Sequence, residues 1–411
     1  MKKTILPLLA VLFIFSAESV FAINELPQDS PNTVNMEEVV LENPVICEDE
    51  ETYNVPEVAT VTKDESLNES KSLKEKLRDI YNLEVEKYDR PSYLMKDIFT
   101  HKFNDNSIMD YTHFWAGYNG SLGINFEDNS VTNHYDFNAI TTSIDGSLKD
   151  NNADFRFMLR FYPYSHRNFL QTMFSDTYIG TNKIPHHRIQ VGYFRPKVGH
   201  EGTISTYTIP FLTRAQISRE FGTVRKIGAK IEGDYSYMDY NFGLYSSGTF
   251  FQSFFPGAEF DGWVNFKPLA KTNGKYGTLK IGGGLQGGRR HSDYCVTGAY
   301  TEWNYKRLMM NFEWANANGY NGNSGHYTNN HADGFYTTIG YMLTKKLQIL
   351  ARYDQFNPNK HVSKNDRREY SLGLNYFIKG QALKLILNYV FCNNQGAPDS
   401  HRIMVGTQII L

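Results

Sequence analysis

Arginine and lysine are concentrated in one stretch of the chain, between Ala153 and Lys230. Twelve basic residues lie there against four acidic ones. Grouped ammonium and guanidinium groups attract anions, and the planar guanidinium matches the geometry of phosphate. We take seven of these residues as candidates for binding or guiding an anion: Arg156, Arg160, Arg195, Lys197, Arg214, Arg219 and Arg225.

Other chemical motifs are weak. Gly282, Gly284 and Gly287 have the spacing of a dinucleotide-binding loop, but no helical pattern follows them, so we interpret them as small residues within a strand. His326 and His331 lie in a predicted polar loop without the spacing of a metal site. No nucleophile, base and acid can be assembled into a catalytic site. We expect no enzyme, no metal, no cofactor and no nucleic-acid partner.

The first 22 residues resemble an export signal. They contain two lysines, an apolar run and a small-x-small site at Val20-Phe21-Ala22. We expect cleavage after Ala22, with an uncleaved anchor as the alternative. Downstream, no apolar run approaches the 18 or so residues that a membrane helix needs, which excludes a helical membrane protein.

Residues 23–106 form an acidic segment that we expect to be periplasmic and partly disordered. Residues 23–90 contain 18 Asp and Glu against 7 Lys and Arg, with few aromatic residues. Leu73, Leu77 and Ile80 have helical spacing, which predicts a short amphipathic helix near residues 64–90. This helix could pair with copies on neighbouring protomers or lie on a periplasmic surface.

Residues 107–411 have the pattern of a transmembrane barrel. Apolar and polar residues alternate, as in Tyr370, Leu372 and Leu374 against Ser371 and Gly373. Sixteen such strands can be placed, an even number, and short connections alternate with longer ones. The sequence therefore predicts an all-β outer-membrane barrel of about 16 antiparallel strands. In it, Arg156 and Arg160 would face inward, about 13 Å apart along their strand.

The connection at residues 196–222 is the longest between two predicted strands. It is basic, lacks an obvious helix or strand, and contains apolar residues that could anchor it: Tyr207, Ile209, Phe211 and Leu212. A long loop of this kind is usually functional or disordered. We predict that it is ordered and folds into the lumen as the third extracellular loop.

Several alternatives remain open at this point. The chain could be a soluble secreted all-β protein, although that would not explain the alternation of short and long connections. Within a barrel, some basic residues could line extracellular loops or pair with lipopolysaccharide phosphates. The barrel could also be a general non-selective porin, or a structural or adhesive component of the envelope.

The stretch from Val191 to Ala215 resembles a segment of the phosphate-selective porin O and P family. In that family a strand is followed by a Pro-x-x-Gly-x-Glu turn and a constriction loop. The matching positions are Tyr193, Phe194, Pro196, Gly199, Glu201, Phe211 and Arg214. Residues 351–359 and 370–391 are similar to the family's closing strands.

This resemblance implies a sixteen-stranded outer-membrane porin that assembles as a homotrimer. It also implies passive diffusion of small anions, such as phosphate or polyphosphate, along a basic lumen and without a cofactor. Outer-membrane lipid and lipopolysaccharide would surround the barrel.

Overall fold

The computed structural model describes residues 99–128, 130–149, 153–161, 173–248, 255–272, 274–290, 292–319 and 331–410. The predicted export signal, the acidic segment up to residue 98 and the helix near residues 64–90 lie outside the described residues, so they stay predictions.

The described part of the chain forms one antiparallel sheet. Its strands are β1 (Thr100–Lys102), β2 (Met109–Glu127), β3 (Ser130–Leu148), β4 (Asp154–Phe161), β5 (Phe174–Thr181), β6 (His187–Phe194), β7 (Lys226–Asp234), β8 (Met238–Ser246), β9 (Ala258–Phe266), β10 (Thr278–Arg289), β11 (Asp293–Tyr305), β12 (Leu308–Asn318), β13 (His331–Met342), β14 (Leu347–Asn357), β15 (Arg367–Phe377), β16 (Leu383–Asn394) and β17 (Ser400–Ile410).

The sheet closes into a barrel of sixteen strands. Each strand from β2 to β17 pairs with its sequence neighbour, and β17 also pairs with β2, from Ser400 opposite Glu127 to Ile410 opposite Gly117. Closure leaves no free edge along the barrel, which is the condition for a sheet in a membrane. The predicted sixteen-stranded architecture is confirmed. Among the described residues, no helix is long and apolar enough to cross a membrane.

The start of the barrel differs from the prediction. β2 begins at Met109, but the short strand β1 precedes it and lies before residue 107, where the predicted barrel begins. Because β17 leaves β2 at Gly117, the first residues of β2 would have an open edge there. β1 occupies that edge, with Thr100 opposite His113. A strand of three residues has too little sequence to show alternation, so pattern reasoning misses it.

Side chains alternate between the outside and the inside of the barrel along its strands. On β16, Leu385 and Leu387 are exposed on the outer face, whereas Lys384 and Asn388 are buried inside. Two inward residues of this strand, Ile386 and Val390, are apolar and break the simple pattern. They pack against Leu212, which belongs to the segment between β6 and β7.

The Gly282-Gly284-Gly287 motif lies within β10, as predicted, and takes no part in a dinucleotide-binding loop. Gly284 faces inward beside Trp263, whose ring carbon Cε3 would be 2.6 Å from an added Cβ. The indole of Trp263 stacks on Tyr300. The glycine therefore makes room for a flat aromatic ring against the inner wall. His331 was predicted to lie in a loop, but it is the first residue of β13 and bonds Asn316.

Candidate functional site

Residues 195–225, which we call the inner loop, connect β6 to β7 and fold into the barrel. Inward side chains of the wall accept hydrogen bonds from the backbone N–H groups of the loop. These bonds are Lys197 to Asp261 at 2.9 Å, His200 to Glu313 at 2.8 Å, Leu212 to Asn388 at 2.8 Å and Gln216 to Asp354 at 2.7 Å. The acceptors belong to β9, β12, β16 and β14, so the loop follows a large part of the inner wall. The inward-folded third loop is thereby confirmed.

The inner loop contains a helix, α1 (Gln216–Phe221), where the sequence suggested no secondary structure. Its N-terminal flank, Ala215, makes no side-chain capping bond. Asp354 on β14 accepts the Gln216 N–H instead and supplies a carboxylate where a capping residue would act. The capping group comes from a residue 138 positions away, so no local signal marks the helix.

Apolar side chains anchor the inner loop at separate places on the wall. Val198, Ile217 and Phe221 pack on small inward residues such as Ala315 and Ala332. Tyr207, Leu212 and Phe211 contact the wall elsewhere: Tyr207 near Trp115, Leu212 near Met404 and Phe211 beneath Arg352. The inward apolar residues of the barrel thus lie where the inner loop contacts the wall.

Gly406 on β17 leaves the space that Leu212 occupies. A Cβ atom at this position would lie 2.3 Å from Cδ2 of Leu212, closer than real contacts allow. We therefore expect Gly406→Val to push Leu212 and the inner loop away from the wall and to change the single-channel conductance. Planar-bilayer recordings measure this.

The matched control for that substitution is Gly283→Val on β10. An added Cβ there meets its nearest atom at 3.4 Å, which is ordinary contact. Heat-modifiable migration on gels would show that both variants form barrels. If Gly406→Val and Gly283→Val conduct like the wild type, Leu212 does not hold the loop in its conducting position.

Arg352 on β14 holds the middle of the inner loop against the barrel wall. Its guanidinium binds the Glu201 carboxylate, donates to the Thr213 carbonyl at 3.1 Å and lies 4.5 Å from the Phe211 ring centre. The other oxygen of Glu201 accepts the Ala215 N–H at 2.6 Å. Both side chains of this ion pair are 3% exposed. Neither residue was among the seven candidates, although the alternation along β14 places Arg352 inward.

Three of the seven candidates form ion pairs with carboxylates from other parts of the barrel. The pairs are Arg156 with Asp145, Arg219 with Glu369 and Arg225 with Asp176, each at 2.9 Å. Arg156 and Arg160 both lie on the buried face of β4, with relative exposures of 7% and 3%. Ion pairing reduces the charge that such groups offer to a passing solute.

Two further candidates bind the backbone of the inner loop itself. Arg195 donates to the Gly202 carbonyl at 2.7 Å. Arg214 donates to the Ile204 carbonyl at 2.7 Å and to the Glu201 carbonyl. Both guanidinium groups are fully buried. These contacts shape the loop.

Lys197 differs from the other candidates. Its side chain is half-buried and has no hydrogen bond or ion pair among the described residues. Burial lowers the pKa of Lys197, and the charges of Glu232 and Asp239 oppose that effect. Lys280 on β10 lies on the same part of the wall, 4.0 Å from Asp239 and 38% exposed. Both lysine side chains are therefore partly exposed in this region.

The described interior contains cations and anions in similar numbers. Ten basic residues are buried: Arg156, Arg160, Arg188, Arg195, Arg214, Arg225, Lys226, Lys230, Arg352 and Lys384. Eight acidic residues are buried with them: Asp176, Glu201, Glu232, Asp239, Glu259, Asp261, Glu313 and Asp354. Most of these acids lie beyond Lys230, so counting charges within residues 153–230 overstates how basic the interior is.

A closed sixteen-stranded barrel with a long loop folded inside agrees with the architecture that the resemblance to the porin family implies. Residues 274–408 match the family model described as phosphate-selective porin O and P. The resemblance to this family is thus confirmed over that stretch. The matched region covers the last eight strands, β10 to β17. No curated protein sequence matches the chain.

Solved structures share the fold of this chain. The channel DcaP of Acinetobacter baumannii has 8% identity and a TM-score of 0.54, with coverage of 75% of this chain and 99% of that one. OprB of Pseudomonas putida has 11% identity and a TM-score of 0.54, covering 73% and 94%. An anion-selective porin from Comamonas acidovorans has 8% identity and a TM-score of 0.54, covering 73% and 99%. The family match and the shared fold agree with the outer-membrane location that the barrel predicts.

Proposed function

We propose that this barrel is a porin that lets small anions diffuse passively across the outer membrane, with phosphate or polyphosphate among them. The proposal rests on the absence of a bonding partner for the Lys197 side chain among the described residues. Its ammonium group has no hydrogen bond or ion pair within the described part of the chain, and it stands on the inner loop. An accessible cation in a lumen attracts anions and repels cations.

Each class of cation has a separate part in this proposal. The paired arginines, such as Arg156, Arg219 and Arg225, form a neutral frame that holds the loop and the wall. Lys197 and Lys280 supply the positive potential along the path. Glu232 and Asp239 lie close enough to Lys197 to weaken that potential. Selectivity should therefore be modest, which suits conduction, because a site that binds too tightly releases its ion slowly.

Phosphate enters the proposal through the family description, and small-anion passage agrees with the name of the Comamonas acidovorans porin. A homotrimer is proposed by analogy with OmpT of Vibrio cholerae, one form of which is described as a trimer. The exposed outer residues, such as Leu372 at 59% and Val405 at 54%, would contact lipid, with lipopolysaccharide at the outer end.

A general non-selective porin is the second candidate. The near balance of ten buried cations and eight buried acids favours it. The reversal potential in a potassium chloride gradient separates the two functions. A value that favours chloride, with block by added phosphate, supports the anion porin, whereas a value close to that of free diffusion supports the general porin.

Replacing Lys197 with glutamine should reduce the preference for anions. At about 7 Å, one unit charge stabilises a passing anion by about 0.6 kcal/mol in water, which is about threefold in local concentration. We therefore expect the chloride to potassium permeability ratio to fall by up to about threefold. Since burial lowers the pKa of Lys197, the wild-type preference should also decline with rising pH before an ordinary lysine would lose its charge.

Lys364→Gln is the control for that experiment, because Lys364 is exposed on the connection between β14 and β15 and does not belong to the inner loop. Both variants remove one positive charge. An equal permeability ratio in Lys197→Gln and the wild type would remove Lys197 from the conduction path.

A further inference from the structure

The barrel wall near Lys197 carries partly exposed charges of both signs. The side chain of Lys280 on β10 is 38% exposed, and that of Glu302 on β11 is 27% exposed. The two residues stand directly opposite each other in the β10–β11 pair. Along their strands they alternate in step with the buried residues Gln286 and Tyr300, so both side chains face the interior.

Glu302 is an acid whose charge is not neutralised by a lysine or arginine. Within the described residues it contacts the Asn304 amide at 2.9 Å and, at 3.9 Å, the ring of His200. Glu232, on the same side of the barrel, is bound instead by Lys230 at 2.8 Å. A carboxyl group that water reaches is ionised at neutral pH. Glu302 therefore offers a negative charge to the interior.

Lys280 does not cancel that charge. Although the register places it opposite Glu302, the two side chains form no ion pair among the described contacts. The Lys280 ammonium lies 4.0 Å from Asp239 on β8, and Asp239 is held more closely by Lys267, at 3.1 Å. A positive and a negative group thus stand side by side on the wall with separate charges.

The inner loop adds a second ammonium group on this side of the barrel. Lys197 donates its backbone N–H to Asp261 on β9, and His200, three residues later, donates its own to Glu313 on β12. Between these two bonds the loop passes β10 and β11, the strands of the charged residues described above. The Lys197 side chain is half-buried and has no hydrogen bond or ion pair within the described part of the chain.

We propose that Lys197, Lys280 and Glu302, the dipolar site, favour the passage of zwitterions such as amino acids and short peptides. This inference rests on the porin function proposed above, because it needs an open lumen in which these side chains act on a solute. The carboxylate of a zwitterion would meet two ammonium groups, while its own ammonium group would meet Glu302. Both ends of such a solute are attracted at the same time.

Other solutes respond differently to Glu302. A simple anion is repelled by it, so Glu302 weakens the attraction that the two lysines exert. A neutral solute is affected by none of the three charges. At about 6 Å in water, the attraction between two opposite unit charges raises the local concentration about threefold. A preference of this size still allows fast release, which conduction requires.

Swelling of proteoliposomes that contain the full chain tests the proposal with two probes of zero net charge. Glycylglycine carries one positive and one negative group, whereas N-acetylglycinamide carries neither and has a similar size. We expect the wild type to pass glycylglycine about threefold faster than the neutral probe. In Glu302→Gln this ratio should fall by about twofold, because one of the two attractions is lost.

Glu127→Gln is the matched control. Glu127 is the last residue of β2, at the opposite end of the barrel; it is half-buried and forms no ion pair with another described residue. Glu302→Gln keeps an oxygen that can accept the Asn304 bond, and heat-modifiable migration on gels shows whether both variants fold. A ratio that is unchanged in Glu302→Gln, or that falls equally in Glu127→Gln, would overturn the proposal.

Reversal potentials of the same variants separate this site from anion selection. Lys280→Gln should lower both the glycylglycine ratio and the chloride to potassium permeability ratio. Glu302→Gln should lower the first and raise the second by up to about threefold, a pair of opposite changes that a distorted pore would not produce.

The two proposals fail in different ways. If the wild type prefers anions but passes both swelling probes at equal rates, the dipolar site is wrong and the anion porin stands. If the wild type has no anion preference but its glycylglycine ratio falls in Glu302→Gln, the dipolar site stands and anion selectivity is wrong. No swelling with either probe would overturn both.

Discussion

Replacing Glu201 with alanine should loosen the inner loop and change the conductance of the pore. The substitution removes the carboxylate that binds Arg352 and accepts the Ala215 N–H. Arg352 would then be a buried cation that has lost its carboxylate partner, since it is 3% exposed in the ion pair. Removing one member of a buried pair costs about 3–5 kcal/mol. The loop can relieve that cost by leaving the wall, which admits water to the guanidinium.

Single-channel recordings with limited proteolysis measure this effect. We expect a different and noisier conductance, and new cleavage within residues 195–225. Glu201→Gln is the conservative comparison, because the amide oxygen can still accept the Ala215 N–H while the charge is lost. A Glu201→Ala pore with wild-type conductance and protease resistance would show that the Glu201–Arg352 pair does not hold the loop.

Much of the fold could be predicted because the alternation of apolar and polar residues within each strand shows which of its faces points out of the barrel. The outward leucines of β16 alternate with inward Lys384 and Asn388, and this signal needs no knowledge of other strands. The apolar residues on the inner face are exceptions to this alternation, and they report contacts with other parts of the chain. Ile386 and Val390 are apolar on the inner face because Leu212 covers them. An apolar residue at a lumen position therefore indicates contact with a loop, although it does not say which loop.

The charged interior could be predicted only in part, because pairing is not local. Arg219 and Glu369 are 150 residues apart in sequence, and Arg225 and Asp176 are 49 apart. The sequence shows that these cations belong inside the barrel. Which of them meets an acid depends on strand register, on the path of the inner loop and on rotamers. Lys197 was one of seven equal candidates until the structure showed that the side chains of three others are paired with carboxylates.

The pair of Arg225 and Asp176 tests whether the paired arginines stabilise the barrel or interact with the passing anion. Their carboxylate-to-guanidinium distance is 2.9 Å, and the side chains are 8% and 1% exposed. Arg225→Gln alone leaves Asp176 buried without its ion pair, so we expect a loss of about 3–5 kcal/mol in the free energy of unfolding. Adding Asp176→Asn removes that charge and should recover most of the loss. Urea unfolding in lipid vesicles measures both.

The double variant also separates stability from selectivity. Arg225→Gln with Asp176→Asn leaves the net charge of the lumen unchanged, so a frame role predicts a wild-type permeability ratio. Arg219 and Glu369 make a graded comparison, because their side chains are 18% and 15% exposed and water screens the pair more. The contrary result has two parts: the single variant Arg225→Gln is as stable as the wild type, and both the single and the double variant lose anion preference. Arg225 would then act on the passing anion, and the interpretation that it belongs to the frame would be wrong.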